Sequence, residues 1–538
     1  MASYNLLTEP WIPVKDRSGK IVHNGILDTI RNAHEFTEVS DPAPPVQFGI
    51  YRLLIAFVTD VYCPADLYDL ESLILDRKFD VSRLEAYSEK YKDRFDLFDP
   101  EHPYMQSPAD PDHDKKKEPV ARLMQHLPSG SNTVHFHHGN WEDHGFSYEQ
   151  CARGLVTVAP FMTSGGKGYS PSINGTPPWY ILVKGPNLFN TILYNVCVMP
   201  LNVKNLGDEP VAWRSTMKVE PKKELSQCSI SQAFTWRPRR IRLLPGPVGT
   251  CTYTGKENVP IVKEMYYGPG FSFTGSWVDP QVAYKITDKG QFPIRPPIKP
   301  DETKELWRDI GPIMLLHDKY YQKNDFKIMY MRPSVVSQFR ELIDKTSLFE
   351  SDLNSALDLE VYGIRTDGNM KFYEWVFEKL SLPWHIFYRD NYGLIIQESM
   401  DKADLFSGYL NSALKRAYPR DSKGNAKALD TLIKRTQNFY WVALEPIFKN
   451  VFLKNMQEQQ GIEANPAGLL KWWYKQLFST GLSALNNTLD QLDSDAKELK
   501  RREVARSEYI KKAGRHLSPD KEKQSKKPHG GRKERYEH

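Results

Sequence analysis

The segment TVHFHHGNWEDHG at 133–145 sets His135, His137, His138 and His144 beside Glu142 and Asp143, all of them metal-ligand types. In an extended strand His135 and His137 share one face, as two ligands of a single cation must. A metal-dependent nuclease or hydrolase is the chemistry such a cluster offers. The segment contains no helical HExxH and no thiolate, and the reading that asks least of it is a solvated or partner-contacting loop. A second stretch, SGGKGYSPSINGTPP at 164–178, is rich in glycine and carries Lys167. Consecutive glycines let a backbone approach a phosphate or a base edge, and a lysine there neutralises a phosphate. It lacks Walker spacing, and a turn between strand and helix accounts for it as well. In FTWRPRRIRLLPG at 234–246, strand alternation sets Arg240 and Arg242 on one face and Ile241 and Leu243 on the other. That basic face either holds a nucleic-acid backbone or solvates a sheet. No GxSxG, no GxxxxGK[ST] and no spaced carboxylate set occurs in the chain. No cofactor is expected.

The elements that would position these residues are legible from texture. At 538 residues, with 40% apolar and 26% charged residues, the chain is long enough for two or more folded domains. The apolar run at 46–61 predicts a buried helix, and 83–98 a polar-faced one. Residues 107–150 read as a long irregular region. Short strands and loops are expected over 151–300 around a helix at 187–199, and interrupted helix over 302–350. LDLEVYGIRTDGNMKFYEWVF at 357–377 places two apolar-aromatic runs around Asp367-Gly368, a hairpin signal, because the turn needs positive φ. Four helical stretches, 398–417, 427–458, 466–490 and 495–513, predict an antiparallel bundle. The fold class is therefore α+β, with a mixed domain at 1–395, a four-helix bundle at 396–516 and a disordered basic tail at 517–538.

Charge and cysteine usage narrow the function. From Lys497 to His538 there are 15 Lys/Arg and 7 Asp/Glu, which leaves 57 and 60 for the remainder, a net of −3. A body so balanced cannot bind nucleic acid through bulk charge and must use a few placed groups. Five cysteines without a CxxC pair exclude a disulfide framework, and a reducing cytoplasm is the expected location. The N-terminus lacks the basic start and apolar run of a secretory signal, and no apolar stretch approaches membrane-spanning length.

NLLTEPWIPV at the start, EHPYMQ at 101–106, SGGKG, GPNLFNTILYNV at 185–196, TWRP at 235–238 and the terminal bundle occur in that order. Together they resemble the large-subunit family of the type I-E CRISPR surveillance complex, Cascade, over residues 4–515. The resemblance implies a non-catalytic protein that recognises the protospacer-adjacent motif (PAM) in double-stranded target DNA. It also implies opening of the neighbouring base pairs for R-loop formation and recruitment of a helicase–nuclease. The implied partners are the crRNA-bearing Cascade backbone and small subunits, the target DNA and that effector, with no membrane. Guide pairing would read sequence, and the protein only a short flank and the duplex shape.

Residue by residue, the family's minor-groove glycine loop falls on Gly165, Gly166, Lys167 and Gly168. Its lysine finger falls in VKEMYY at 262–267, on Lys263 or, by strict alignment, Met265. The wedge that parts base pairs falls on Thr366, Asp367, Gly368 and Asn369, where some relatives carry glutamine; an exposed hairpin with good turn chemistry is the plainer reading. The histidine-rich loop corresponds to one that threads toward the crRNA 5′ end, with Phe136 as a stacking anchor and His137 and His138 as polar contacts. Some relatives carry four cysteines in two pairs, but here Gly154 and Thr254 stand where the partners of Cys151 and Cys251 would be, so no structural metal is expected. On the bundle, Lys415, Arg416, Lys434 and Arg435 are candidate phosphate contacts. A metal-dependent nuclease and a purely structural RNA-docking subunit remain as alternatives.

Overall fold

The computed structural model describes residues 2–127, 144–166, 168–199, 201, 206–287, 296–301, 305–309, 321–323, 326–345, 356–366, 372–383, 390–419, 423–458, 466–492 and 495–517. Lys167, Phe136, His137, His138, Asp367, Gly368, Asn369 and the basic tail from 518 lie outside them. The chain divides into two compact units, Met1–Leu306 with Pro312–Trp384, and Trp307–Gly311 with His385–His538. The fold is α+β and ends in a helical bundle, as the sequence predicts.

The first unit opens with three antiparallel strands, β1 (Ile12–Asp16), β2 (Ile21–Asn24) and β3 (Phe36–Val39), with β1 central. Helix α1 (Pro44–Tyr62) follows, begun by prolines in its first turn and ended at Cys63 in the left-handed region. It is apolar almost all round and nearly every residue is buried, as a central helix requires. Its main partner is α2 (Tyr148–Phe161), preceded by the short strands β4 (Lys117–Pro119) and β5 (Phe146–Ser147) and capped by the Ser147 hydroxyl on the Gln150 N–H. The two helices approach so closely that a Cβ at Gly49 would stand 2.6 Å from the Val156 carbonyl oxygen.

Strand β6 (Tyr180–Val183) also packs on α1, with Phe48 stacked on Tyr180 at 4.7 Å. Next come β7 (Arg239–Gly249) and β8 (Val259–Pro269), a long antiparallel pair with a register shift between Leu243 and Pro245. The last pair, β9 (Ala356–Thr366) and β10 (Phe372–Pro383), is rooted in the core because β9 also pairs with β6. The predicted hairpin is present, and its final pair, Thr366 with Phe372, leaves five residues for the connection.

Arg52, on α1, is buried and donates two bonds to Asp279, at 2.6 and 3.2 Å, while its guanidinium lies 4.1 Å from the Phe234 ring centroid. Asp279 also accepts from Asn174 (2.8 Å) and from the Gln281 N–H (3.0 Å).

The second unit holds α3 (Asp390–Ala417), α4 (Lys423–Ile447), α5 (Pro466–Leu489) and α6 (Ala496–Ala513), all four packed as a bundle. Pro446 cannot donate an N–H, and α4 passes into a π-helical turn at Phe448–Phe452. Trp307 joins this unit by packing its ring 5.3 Å from Phe448 and 5.8 Å from Trp441. Among the described residues no single helix is long and apolar enough to cross a membrane.

Three local expectations differ from the structure. Residues 148–161 are a helix rather than the end of an irregular region followed, from 151, by short strands and loops. The helix at 187–199 stops at Tyr194, because the Asn195 amide is spent on both the Val183 N–H (3.0 Å) and carbonyl (2.7 Å). Among the described residues the interrupted helix over 302–350 is Leu306–Asp309 and Ser334–Lys345, and between them FKIMYM at 326–331 forms a strand paired with Tyr284–Thr287.

Truncating a buried, paired charge leaves its partner uncompensated. Arg52→Ala should destabilise the first unit by about 3–5 kcal/mol in urea unfolding, and Arg52→Met with Asp279→Leu should recover most of that. A loss below about 1 kcal/mol for Arg52→Ala would show that the pair does not organise the core.

Candidate nucleic-acid interface

The glycine-rich loop leaves the end of α2 and is held at both sides by one side chain. Arg239, at the start of β7 and buried, donates to the Thr163 carbonyl (2.6 Å) and to the Ser170 carbonyl. Its Nε donates to the Tyr267 hydroxyl (3.0 Å), and its guanidinium lies over Tyr169, 5.1 Å from the centroid. Tyr169 stacks on Tyr267 at 6.1 Å. The loop turns where the Tyr169 N–H meets the Gly166 carbonyl (3.1 Å). Gly166 has φ +98° and Gly168 φ +89°, values that disfavour any residue with a Cβ. Nothing lies within 4 Å of where a Gly166 Cβ would be, so its backbone faces open space. Over Gly168 lies the exposed Lys222, whose Cε is 2.6 Å from the Cβ position. Sequence reasoning missed Lys222, which is distant in the chain and brought to the loop by the Lys222 N–H bond to the Gly270 carbonyl (3.1 Å).

Lys263 lies on β8, the strand that also supplies Tyr267. The register runs Leu243 with Met265, then Pro245 with Val262, so an extra residue bulges at 263–264. Both Lys263 and Glu264 consequently point outward. Glu264 is paired with Lys117 at 2.8 Å, and no ion pair engages Lys263 among the described residues. Met265 is fully buried, so of the two positions only Lys263 offers a side chain to solvent.

Arg240 and Arg242 of the 234–246 run are paired internally. Arg240 pairs with Asp110 (3.0 Å) and Arg242 with Asp114 (2.8 Å), while Ile241 and Leu243 are buried on the other face. The alternation was legible in the sequence, but the basic face is a clamp on residues 110–114 rather than a free surface.

The two described ends of the histidine-rich segment dock on one turn. His126 bonds the Tyr253 hydroxyl (3.0 Å) and packs against Trp375 of β10 at 4.8 Å. His144 bonds the Thr252 hydroxyl at 2.8 Å. The segment is thereby rooted beside the turn end of the β9–β10 hairpin, where Tyr373 and Trp375 are exposed. There Arg365 pairs with Glu374 and with Glu305 (3.1 Å). Burial lowers the His126 imidazole to about 4, so it is neutral.

The cysteine positions also converge. Cys151 and Cys251 are both buried, and burial together with Cys251 raises the Cys151 thiol, whereas hydrogen bonds led by the Thr254 hydroxyl lower Cys251 against its own burial. At Gly154 a Cβ would stand 2.9 Å from Leu123 Cβ, so packing fills the place of a further ligand. Two thiols with a glycine and a threonine do not fit a four-ligand zinc centre. Among the described residues no cluster of three or more potential metal ligands occurs. On the bundle, Lys415, Arg416, Lys434 and Arg435 are exposed.

The model of the family CRISPR-associated protein Cse1 matches residues 5–484. The chain belongs to the Cse1 family. A curated relative, CRISPR-associated protein CasA/Cse1 of Thermus thermophilus, is 28% identical over 339 residues, 58% of this chain, and the match spans 61% of the relative's length. The crystal structure of Thermus thermophilus CasA superposes with a TM-score of 0.74 at 22% identity, covering 96% of this chain and 100% of that one. A chain of a structure described as a CRISPR RNA-guided surveillance complex superposes at 0.72 with 18% identity, covering 95% and 100%. These likenesses establish that the Cse1 fold extends over nearly the whole chain.

The neutral His126 ties hairpin stability to pH. The contact contributes fully above the ordinary imidazole pKa of 6.5 and is lost as pH falls toward 4. The unfolding free energy of the wild type should drop through that window by on the order of 2 kcal/mol more than that of His126→Phe. Parallel pH profiles for the two proteins would contradict the assignment.

Proposed function

We propose that this Cse1-family protein is the non-catalytic large subunit of a crRNA-guided DNA-surveillance complex in the cytoplasm, where it recognises a PAM in duplex DNA. The observation that carries this reading is the glycine loop. Its backbone is open at Gly166, bent by two positive-φ glycines and braced at both ends by a buried arginine. A loop whose turn sets a single lysine between glycines can bring its backbone to the floor of a minor groove, where the code is degenerate and recognition is tolerant. Lys167 and Lys222 supply phosphate neutralisation beside it, and Lys263 on the neighbouring strand is the finger.

The β9–β10 hairpin, rooted in the core sheet, is the wedge. Thr366 is its last paired residue on β9, and Asp367, Gly368 and Asn369 follow at the connection. Unstacking a base step costs on the order of a few kcal/mol, and a hairpin anchored through Arg365 and the β6 pairing can hold its place against that. Phe136, His137 and His138 would contact crRNA or a neighbouring subunit from the loop rooted at Thr252–Tyr253. Partners on this reading are the crRNA-bearing backbone, the small subunits, target DNA and a helicase–nuclease. The bundle cations Lys415, Arg416, Lys434 and Arg435 would add phosphate contacts.

Gel shifts with a crRNA-loaded complex test the reading directly, with and without this chain, on duplexes that differ only in the flanking trinucleotide. Binding should become flank-dependent only when the chain is present, and Gly166→Asp should abolish that dependence. Flank-independent binding in both cases would make the chain a scaffold. Lys222→Ala and Lys263→Ala should each reduce the salt slope by about one, and an unchanged slope removes that lysine from the interface.

A further inference from the structure

One cavity of the first unit gathers cationic and polar groups that the fold leaves unanswered. It measures about 220 Å³ and lies between the 101–110 segment and residues 212–219, with Arg237 and Arg240 also lining it. The segment is locked by Gln106, whose side chain donates to the Leu97 carbonyl (2.8 Å) and accepts from the Leu243 N–H (2.8 Å). Met105 there holds the left-handed conformation, φ 54°, uncommon for a residue with a side chain.

Three lining groups lack what they need. The Ser107 hydroxyl and Arg240 Nε are buried with no partner among the described residues. Arg237 donates to the Met217 carbonyl (3.1 Å) and lies over the Phe271 ring, and it makes no ion pair among the described residues. Its burial, only partly offset by Glu209, brings it down to about 10. A partly buried cation with no ion pair is under-compensated, and a buried donor without an acceptor is costly.

The charge around the cavity has a definite sign. Arg94 and Lys218 bring the lining cations to four, against Glu101 and Asp110. Asp110 is already shared among Arg240, His113 (3.0 Å) and Lys218 (3.9 Å). A carboxylate is answered by one guanidinium fork. A surplus of two cations with a free hydroxyl donor matches the charge of roughly −1.5 to −2 and the three acceptor oxygens of a phosphate monoester. Trp213 and Met217 supply an apolar wall for the group that carries it.

We propose that this cavity binds a phosphate monoester, from a free mononucleotide or from the phosphorylated end of a strand, through Arg237, Arg240 and the Ser107 hydroxyl. The site is independent of the glycine loop, so the two readings fail separately.

Calorimetric titration of the full chain with adenosine 5′-monophosphate, and with adenosine as control, tests it. The nucleotide should bind at one site and the nucleoside should not. Ser107→Ala should weaken binding about tenfold without lowering the melting midpoint, because that hydroxyl has no protein partner to lose. Lys218→Ala, at an exposed position, should weaken it in a salt-dependent way, while Gly166→Asp should leave it unchanged. A single-stranded oligonucleotide bound better with a 5′-phosphate than without, and sensitive to Ser107→Ala, would assign the site to a strand end. The proposal is overturned by absence of both nucleotide binding and 5′-phosphate preference. Affinities untouched by both Ser107→Ala and Lys218→Ala, or lost in Gly166→Asp, overturn it equally.

Discussion

A guanidinium enclosed in protein constrains its whole surroundings, because every donor and its charge must be answered where water cannot reach. Arg52 imposes that condition on the first unit. Its answer is Asp279, more than two hundred residues away, which in turn receives Asn174 from the segment after the glycine loop. The pair therefore joins the central helix, the 279–284 segment and the loop region in one polar knot. Such a pair adds little net stability over a well-packed apolar substitute, and its effect is to penalise every arrangement that leaves one partner alone.

The same logic recurs with the other buried arginines. Arg239 holds the glycine loop from both ends, Arg240 and Arg242 hold residues 110–114, and Arg153 joins α2 to the Trp11 carbonyl (2.9 Å) while Glu149 of the same helix answers its charge (2.9 Å). These bonds position backbone, and Arg240 also lines the cavity between residues 101–110 and 212–219. Around the glycine loop, among the described residues, what stays open is the backbone at Gly166 and the exposed lysines at 222 and 263. That distribution agrees with a body whose net charge, apart from the C-terminal stretch, is close to zero.

The motifs that identify the family turn out to be structural. Trp11 of EPWIPV is fully buried and bonds the Leu6 carbonyl at 3.0 Å. In GPNLFNTILYN, Asn187 caps the helix through the Asn190 N–H, and Asn195 closes it onto Val183. Leu188, Phe189 and Ile192 between them are buried. Conversely, α2 was illegible because Gly154, Pro160 and three β-branched residues argue against a helix. Burial of every one of its side chains against α1 and its neighbours overrides that propensity.

By itself the sequence determined the α+β class, the buried helix near residue 50, the hairpin, the four bundle helices and the family, because each rests on periodicity, turn chemistry or ordered local motifs. Only the tertiary structure decided which charges are spent and which are free. It bulged β8 so that Lys263 faces out while Met265 faces in, laid Lys222 over Gly168, and turned the arginine strand into a set of clamps. It also left Arg237, Arg240 and Ser107 around one cavity. Those outcomes depend on partners remote in the chain, and local pattern carries no information about which remote group will answer a given charge.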